Sequence, residues 1–324
     1  MSMILAGDIG GTNTRLGLFE PVRPRPRRLT RRVFPTLDFP DLPAMVGAFL
    51  EAESIDRRTI DRACFGVAGP IVDDAAELTN VPWRVEARAV AATFGLARVR
   101  LLNDLEAMAH AVPVLEDAEL HTLQPGEPVR HGNISLLAAG TGLGIALLHH
   151  VDGRFIPSPS EGGHADFAPR TEREIALLRD LTARFGRAEV EQVVSGRGIV
   201  NIHRVAHRAA CAARVDLEHT DAPAQITTAA LERRCHGCVE TLDIFVDAYG
   251  ATAGNLALGA MATAGTYVGG GIAPKILPAM STGAFLKAFN AKAPFESLLE
   301  KMPVKIILNA EAGLIGAAVF GADM

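Results

Sequence analysis

The chain reads as an α/β protein of two domains. Three observations predict it: a length of 324 residues, short apolar strand-like runs alternating with helical patterns, and glycine-rich turns after several of those runs. At about 150 residues per domain, that length exceeds a single hydrophobic core. The composition is globular, at 48% hydrophobic, 21% charged and 5% aromatic residues. Acids (37) exceed lysines plus arginines (32), and the isoelectric point is near 6.1. No overall basic field invites nucleic acid or anionic lipid. Cys64, Cys211, Cys235 and Cys238 make no disulfide framework in so long a chain, which suits a reducing cytoplasm.

Residues 3–8 are apolar and strand-like, and 14–19 alternate as a second strand. IGGTN lies between them as turn chemistry, so the chain opens on a hairpin. The opening MSMILAGDIGGT lacks a basic n-region and meets an aspartate at residue 8, which argues against a secretory signal. EPVRPRPRRLTRR follows, with six arginines between Arg23 and Arg32. No aromatics are interleaved, so a solvated loop and edge strand is preferred over a nucleic-acid arm. A helix is expected over 41–53, strands over 63–68 and 99–102, and a helix over 105–112.

The second half repeats the theme. Strands are expected over 134–139 and 145–149, separated by GTGLG, and helices over 172–185, 195–213 and 230–261. A strand at 266–268 precedes GGG, and a last strand at 304–308 precedes a terminal helix. GGTNTRLGL (10–18) and GTGLGIAL (140–147) are both Gly/Thr turns between apolar strands, which hints at a duplicated unit. The stretch 248–274 carries no charge and could span a bilayer by length. Its seven glycines and Asn255 make it a small-residue helix inside the protein, followed by a buried strand.

Three glycine turns, 8–14, 140–144 and 269–272, each follow an apolar strand. Glycine lets backbone N–H groups approach an anion closely, so such turns can cradle phosphate. No Walker loop is present, and GTGLGI places Ile145 where a dinucleotide fingerprint needs its last glycine. An aspartate in the first turn and threonines in the first two strengthen the phosphate reading.

These residues carry a resemblance. DIGGTNTR (8–15), AAGTGLG (138–144) and TYVGGGIAPK (266–275) are similar to the two phosphate motifs and the adenosine motif of the actin, hexokinase and heat-shock chaperone superfamily. LLNDLEAMAHAV (101–112), SEGGHADFAP (160–169), EQVVSGRGIVN (191–201) and AGLIGAA (312–318) resemble the bacterial glucokinase family in order and spacing, across essentially the whole chain. The resemblance implies an actin-like, hexokinase-like fold of two domains, each a mixed sheet flanked by helices, with the active-site cleft between them. The small domain would be 1–113 plus 304–324 and the large domain 114–303. It also implies a cytoplasmic homodimer that moves the γ-phosphoryl group of ATP onto the 6-hydroxyl of glucose, a glycolytic reaction. Closure on the sugar would exclude water. Neither nucleic acid nor membrane is an expected partner.

Phosphoryl transfer asks for alignment and charge neutralisation, plus an acceptor for the hydroxyl proton. Asp104 is the candidate base, at the end of a strand where α/β sheets present ligand groups. Read locally, it could instead be the N-cap of the following helix. Asn103 can donate to and accept from a sugar hydroxyl. Asp8 would hold Mg²⁺ through water, or merely close its turn. Gly10, Gly11, Thr12 and Asn13, with Gly140, Thr141 and Gly142, would hold phosphate oxygens. Gly270 and Gly271 would let adenosine lie on bare backbone. Glu161, His164 and Glu191 match family positions that bind sugar hydroxyls. Asn80, ahead of Val81-Pro82-Trp83, is a further sugar contact or turn chemistry.

Two metal readings are disfavoured. Glu161-x-x-His164 has di-iron spacing, but two glycines oppose a helix there and no second such pair follows. Cys235-His-Gly-Cys238 lacks a second pair and falls inside the expected helix 230–261, so zinc is not expected. The zinc motif of a related kinase and repressor family, of Cys-x-Cys-Gly character, is absent. Arg197 stands where the glucokinase family often shows proline, and NAEAGLIG replaces NPGLLG, which leaves fine specificity open. Another hexose or amino sugar is the alternative substrate, and ADP or polyphosphate the alternative donor. A catalytically silent regulator is the alternative class, opposed by the presence of both Asp8 and Asp104.

Overall fold

The computed structural model describes residues 3–78, 81–207 and 210–324. They divide into two compact units: Met1–Asp117 with Phe155–Pro159 and Asn309–Met324, and Ala118–Arg154 with Ser160–Leu308.

The first unit begins with the expected hairpin, β1 (Met3–Ile9) and β2 (Asn13–Glu20), followed by β3 (Arg27–Pro35) along its edge. The arginines of β3 meet acids. Arg27 reaches Glu20, Arg28 and Arg31 reach Glu311, and Arg32 reaches Glu53 at 2.7 Å. Helix α1 (Leu42–Ala52) starts where Asp41 accepts from the Ala44 N–H, and it buries Leu42, Met45, Val46 and Phe49 at helical spacing. β4 (Ile60–Val67) then runs parallel to β1. A small sheet follows, β5 (Ile71–Val72), β6 (Ala75–Glu77) and β7 (Arg84–Glu86), then α2 (Ala87–Phe94). β8 (Arg98–Asn103), parallel to β4, leads into α3 (Asp104–Ala111). The sheet order is β3-β2-β1-β4-β8.

Strand alternation gives this sheet two apolar faces. Leu5, Ile9, Leu16 and Leu18 pack with Leu42, Met45 and Phe49 of α1. Ile4, Ala6 and Phe19 point the other way, onto Leu314, Ala317 and Ala318.

The second unit repeats the plan. Its strands are β9 (Leu120–Gln124) and the hairpin β10 (Ile134–Ala139) and β11 (Leu143–Val151); β12 (Arg154–Ser160) follows, with Phe155–Pro159 counted in the first unit. Helices α4 (Glu172–Phe185), α5 (Gly196–Ala206), α6 (Ala222–Leu231) and α7 (His236–Ala260) come next. β13 (Gly265–Gly269), short helices α8 (Leu277–Met280), α9 (Ala284–Asn290) and α10 (Glu296–Lys301), and β14 (Val304–Ile307) complete the unit. The terminal helix α11 (Ala312–Asp323) belongs to the first unit and carries Leu314, Ala317 and Ala318. Within this unit the order β11-β10-β13-β14-β9 contains the first sheet's pattern: an antiparallel hairpin, then two parallel strands. The short Gly/Thr likeness between the two turns therefore marks equivalent hairpins.

Two helices differ from expectation. The helix expected over 195–213 ends at Ala206, where His207 turns to extended backbone. The helix expected over 230–261 begins only at His236, because Arg233 adopts φ +55 and separates it from α6, a helix the sequence reading lacks. Cys235 is thus the N-cap of α7 rather than a mid-helix residue. Among the described residues, no helix is long and apolar enough to cross a membrane. The uncharged stretch forms the end of α7 and then β13.

Candidate active site

The first unit gathers its expected residues at one end of its sheet. β1, β4 and β8 are parallel, with Asp8 beside Gly66, Ile9 beside Val67, and Val67 beside Asn103. Two strand spacings of about 4.8 Å put Asp8 and Asn103 roughly 10 Å apart at the carboxyl ends of these strands. That is the edge where α/β sheets bind ligands.

Asn103, not Asp104, is the N-cap of α3. Its Oδ1 accepts from the Leu105 N–H at 3.0 Å and the Glu106 N–H at 3.4 Å, and its Nδ2 donates to Gly69 O at 3.3 Å. Asp104 is the first helical residue, with its Oδ1 accepting from its neighbour Leu105 N–H at 2.9 Å. Capping is thereby a duty of Asn103, whose side chain is held by three backbone groups.

The turn after β1 is closed by the Gly10 N–H donating to Asn13 O at 3.1 Å. Thr36 clamps it, its hydroxyl donating to Gly10 O at 2.7 Å and its N–H to Thr12 O at 2.9 Å. Thr36 lies 26 residues from Gly10, and nothing local signals the role. Gly11 is half-buried, while Thr12 and Asn13 remain exposed. Asp8 meets the Arg15 guanidinium at 3.1 Å. Burial raises the Asp8 pKa above the usual carboxylate range, and Arg15 opposes the shift. Among the described residues Asp8 belongs to no group of three or more His, Cys, Asp or Glu side chains that could hold an ion. That setting fits Mg²⁺, which keeps several waters and leans on substrate phosphates, and does not fit a metal needing a full protein cage.

In the second unit, the two remaining glycine turns sit side by side because β10 and β13 are parallel neighbours, Ala138 opposite Gly269. The Gly140 N–H donates to Gly142 O at 2.8 Å, and the Gly196 N–H to Gly140 O at 2.8 Å, tying the turn to α5. Glu191 Oε2 accepts from the Leu143 N–H at 2.8 Å, so this expected sugar ligand also fixes the end of the turn. The Ile272 N–H reaches Ala139 O at 3.3 Å. Gly270 makes that approach possible. Its φ is +83, and a Cβ there would stand 2.3 Å from Ala139 O. Gly271 faces open space. It lines a pocket of about 920 Å³ together with Gly140, Thr141, Arg197 and Lys275.

Glu161 and His164 flank a single 3₁₀ turn, Gly162–His164. His164 Nδ1 lies 3.3 Å from Glu189 Oε2, and its Nε2 lies 4.0 Å from Glu161. His164, Glu189 and Glu191 place a ligand atom each within 4.8 Å of one another. Glu189 was not singled out from the sequence. Its signal is the Glu-x-x-Gln capping box of residues 189–192, which starts the 3₁₀ turn carrying Glu191. Asn80 lies outside the described residues.

The sequence model of the glucokinase family matches residues 5–324. The chain belongs to the glucokinase family. The glucokinase of Nostoc punctiforme is 40% identical over 343 residues, covering 100% of both chains. That of Mesorhizobium japonicum is 38% identical over 326 residues, covering 98% of this chain and 91% of its own. Among solved structures, a glucokinase from an Antarctic psychrotroph superposes with a TM-score of 0.87 at 30% identity, covering 100% of both chains. A ROK family glucokinase from Streptomyces griseus, solved in complex with glucose and AMPPNP, shares the fold at a TM-score of 0.63 and 22% identity, covering 99% of this chain and 100% of its own. The fold is thus the actin-like one of glucokinases and related sugar kinases. Of the residues that carry the two resemblances, Asp8 and Asn103–Asp104 come to strand ends in the first unit and the two glycine turns do so in the second, where Glu191 accepts from the Leu143 N–H.

Proposed function

We propose that the protein transfers the γ-phosphoryl group of ATP to the 6-hydroxyl of glucose. The observation that carries this reading is the placement of Asp8 and Asn103–Asp104 at one end of three parallel strands, within a chain of the glucokinase family.

Asp104 accepts the proton of the attacking hydroxyl, which raises its nucleophilicity as the bond to phosphorus forms. Asn103 orients the sugar only with what capping leaves of its hydrogen-bonding capacity. Glu161, His164 and Glu191 hold further hydroxyls, and each loses its water only when a matching hydroxyl arrives. The amides of Gly11 and Asn13 with Thr12, and that of Gly142 with Thr141, take phosphate oxygens, while the Gly10 and Gly140 amides keep their turns closed. Gly270 and Gly271 give adenosine a bare backbone wall. Asp8 would hold Mg²⁺ through water, and the ion when bound neutralises charge on the transferring phosphates. Family membership also supports a homodimer working in the cytoplasm, each chain built of a small and a large domain. Asn80 keeps its place as an added sugar contact.

The test is a coupled assay with Mg·ATP against glucose, mannose, fructose, N-acetylglucosamine and N-acetylmannosamine. Glucose should give the highest kcat/KM and release glucose 6-phosphate with ADP. Preference for another sugar, or ATP consumption without a sugar phosphate, overturns the assignment.

A further inference from the structure

We propose that Cys211, Cys235 and Cys238, with His207, form a structural zinc site in the second unit, apart from the phosphate turns. The cluster arises from two helix ends that the sequence alone does not bring together. Helix α5 stops at Ala206, and His207 leaves it on extended backbone. Arg233, at φ +55, separates α6 from α7, so Cys235 caps α7 and Cys238 lies in its first turn. Because α5 packs on α7, the chain leaving one helix meets the start of the other.

The distances bring three sulfurs together, with the imidazole beside them. Cys211 Sγ lies 3.9 Å from Cys235 Sγ and 3.9 Å from Cys238 Sγ. All three sulfurs fall within 4.8 Å of one another. His207 Nε2 lies 3.1 Å from Cys235 Sγ. A tetrahedral ion with Zn–S bonds of about 2.3 Å sets its sulfurs about 3.8 Å apart. A disulfide would join two of the thiols and leave the third without a partner of its kind. Three thiols and an imidazole form the soft donor set that selects zinc over magnesium or calcium.

The surroundings are shaped to the cluster. A Cβ at Gly237 would stand 2.1 Å from His207 Cδ2, so only glycine lets the imidazole lie on the first turn of α7. His203, whose ring is 4.7 Å from that of His207, is held by Thr241 at 3.0 Å and offers a ring nitrogen within 4.8 Å of His207 and Cys211. His207, Cys235 and Gly237 border a pocket of about 580 Å³, a path by which a hydrated ion reaches the thiols. On binding, each thiol proton leaves to solvent as its sulfur takes the metal. The ion would staple the connection after α5 to α7, and Leu217, His219 and Asp221 of that connection line the 920 Å³ pocket.

The experiment is metal analysis of untagged protein, then titration of chelator-treated protein with Zn²⁺ against a chromophoric competitor, with Co²⁺ as a spectroscopic probe. One zinc per chain is expected, with a Kd of about 10 nM or tighter. Co²⁺ should show thiolate charge-transfer absorption and tetrahedral d–d bands, and metal removal should lower Tm by several degrees. Cys235→Ser and Cys238→Ser should each cut stoichiometry at least about tenfold, while Cys64→Ser, in the first unit, binds as wild type. Absence of uptake at micromolar Zn²⁺ overturns the site, as do octahedral cobalt bands, uptake surviving both serine variants, or a mass two hydrogens short that marks a disulfide. If the serine variants fail to fold, the wild-type titration and cobalt spectrum decide alone.

Discussion

Asp8 and Arg15 are register partners across the first hairpin, and their side chains meet at 3.1 Å. The pairing holds a charge that the fold otherwise resists. Burial raises the Asp8 pKa, and Arg15 only opposes it. A folded pKa above the unfolded one means the native state binds the proton more tightly. Stability is then greatest below the unfolded pKa, falls as pH rises through the folded pKa, and at neutral pH carries the full cost. Asp8→Asn should therefore raise Tm at pH 7, with the gain vanishing below about pH 4. The same variant should lose at least about 100-fold in kcat. Thermal melts across pH, paired with the coupled assay, check both; a lower Tm at pH 7 refutes the burial argument.

Asp104→Asn should reduce kcat by about 100- to 10,000-fold, the range for removing a positioned base. Sugar affinity should change little, because size and polarity are kept. Near wild-type turnover would remove Asp104 from the base role.

Asn103→Ala tests the cap separately. It strips the Glu106 N–H of its side-chain acceptor, leaves the Leu105 N–H only Asp104, and should cost about 1 kcal/mol in denaturant unfolding. If Asp104→Asn costs as much and Asn103→Ala nothing, the capping assignment is wrong.

Gly270 and Gly271 are neighbours with opposite expectations. Gly270→Ala forces a side chain onto Ala139 O at positive φ, so low soluble yield and a strongly depressed Tm are expected. Gly271→Ala meets no atom within 4 Å and should keep its Tm. Its methyl group projects where adenosine would lie, and the KM for ATP should rise about tenfold with glucose KM unchanged. Equal Tm values for the two variants would contradict the geometry.

Glu191→Ala should weaken both substrates at once. It leaves the Leu143 N–H without its carboxylate, at about 1–3 kcal/mol, and loosens the turn that begins β11. Glu191→Gln, which still accepts that bond, should recover Tm but not glucose affinity. Unfolding midpoints and separate KM values for each substrate distinguish the two effects.

Much of this protein was decided locally, and there the sequence was sufficient. The strand Ile134–Ala139 and the helix Glu172–Phe185 lie where apolar periodicity puts them, because an unbroken period of two or 3.6 is a property of neighbouring residues. The Arg-rich run became an edge strand, since a strand with one open side tolerates charge on both faces. The motif glycines and Asp8, Asn103 and Asp104 were likewise legible, as each turn needs its own residue types in consecutive positions. Other features were set only by tertiary contact. Arg233 breaks a helix that local pattern favours, and α6 packs back on α7 instead of continuing into it. Thr36 clamps a turn 26 residues away, and Asn103 rather than Asp104 takes the cap. His207, Cys211, Cys235 and Cys238 meet only because α5 packs on α7. Spacing along a chain carries no record of which helix ends will touch; that is fixed when buried area, not sequence distance, chooses the neighbours.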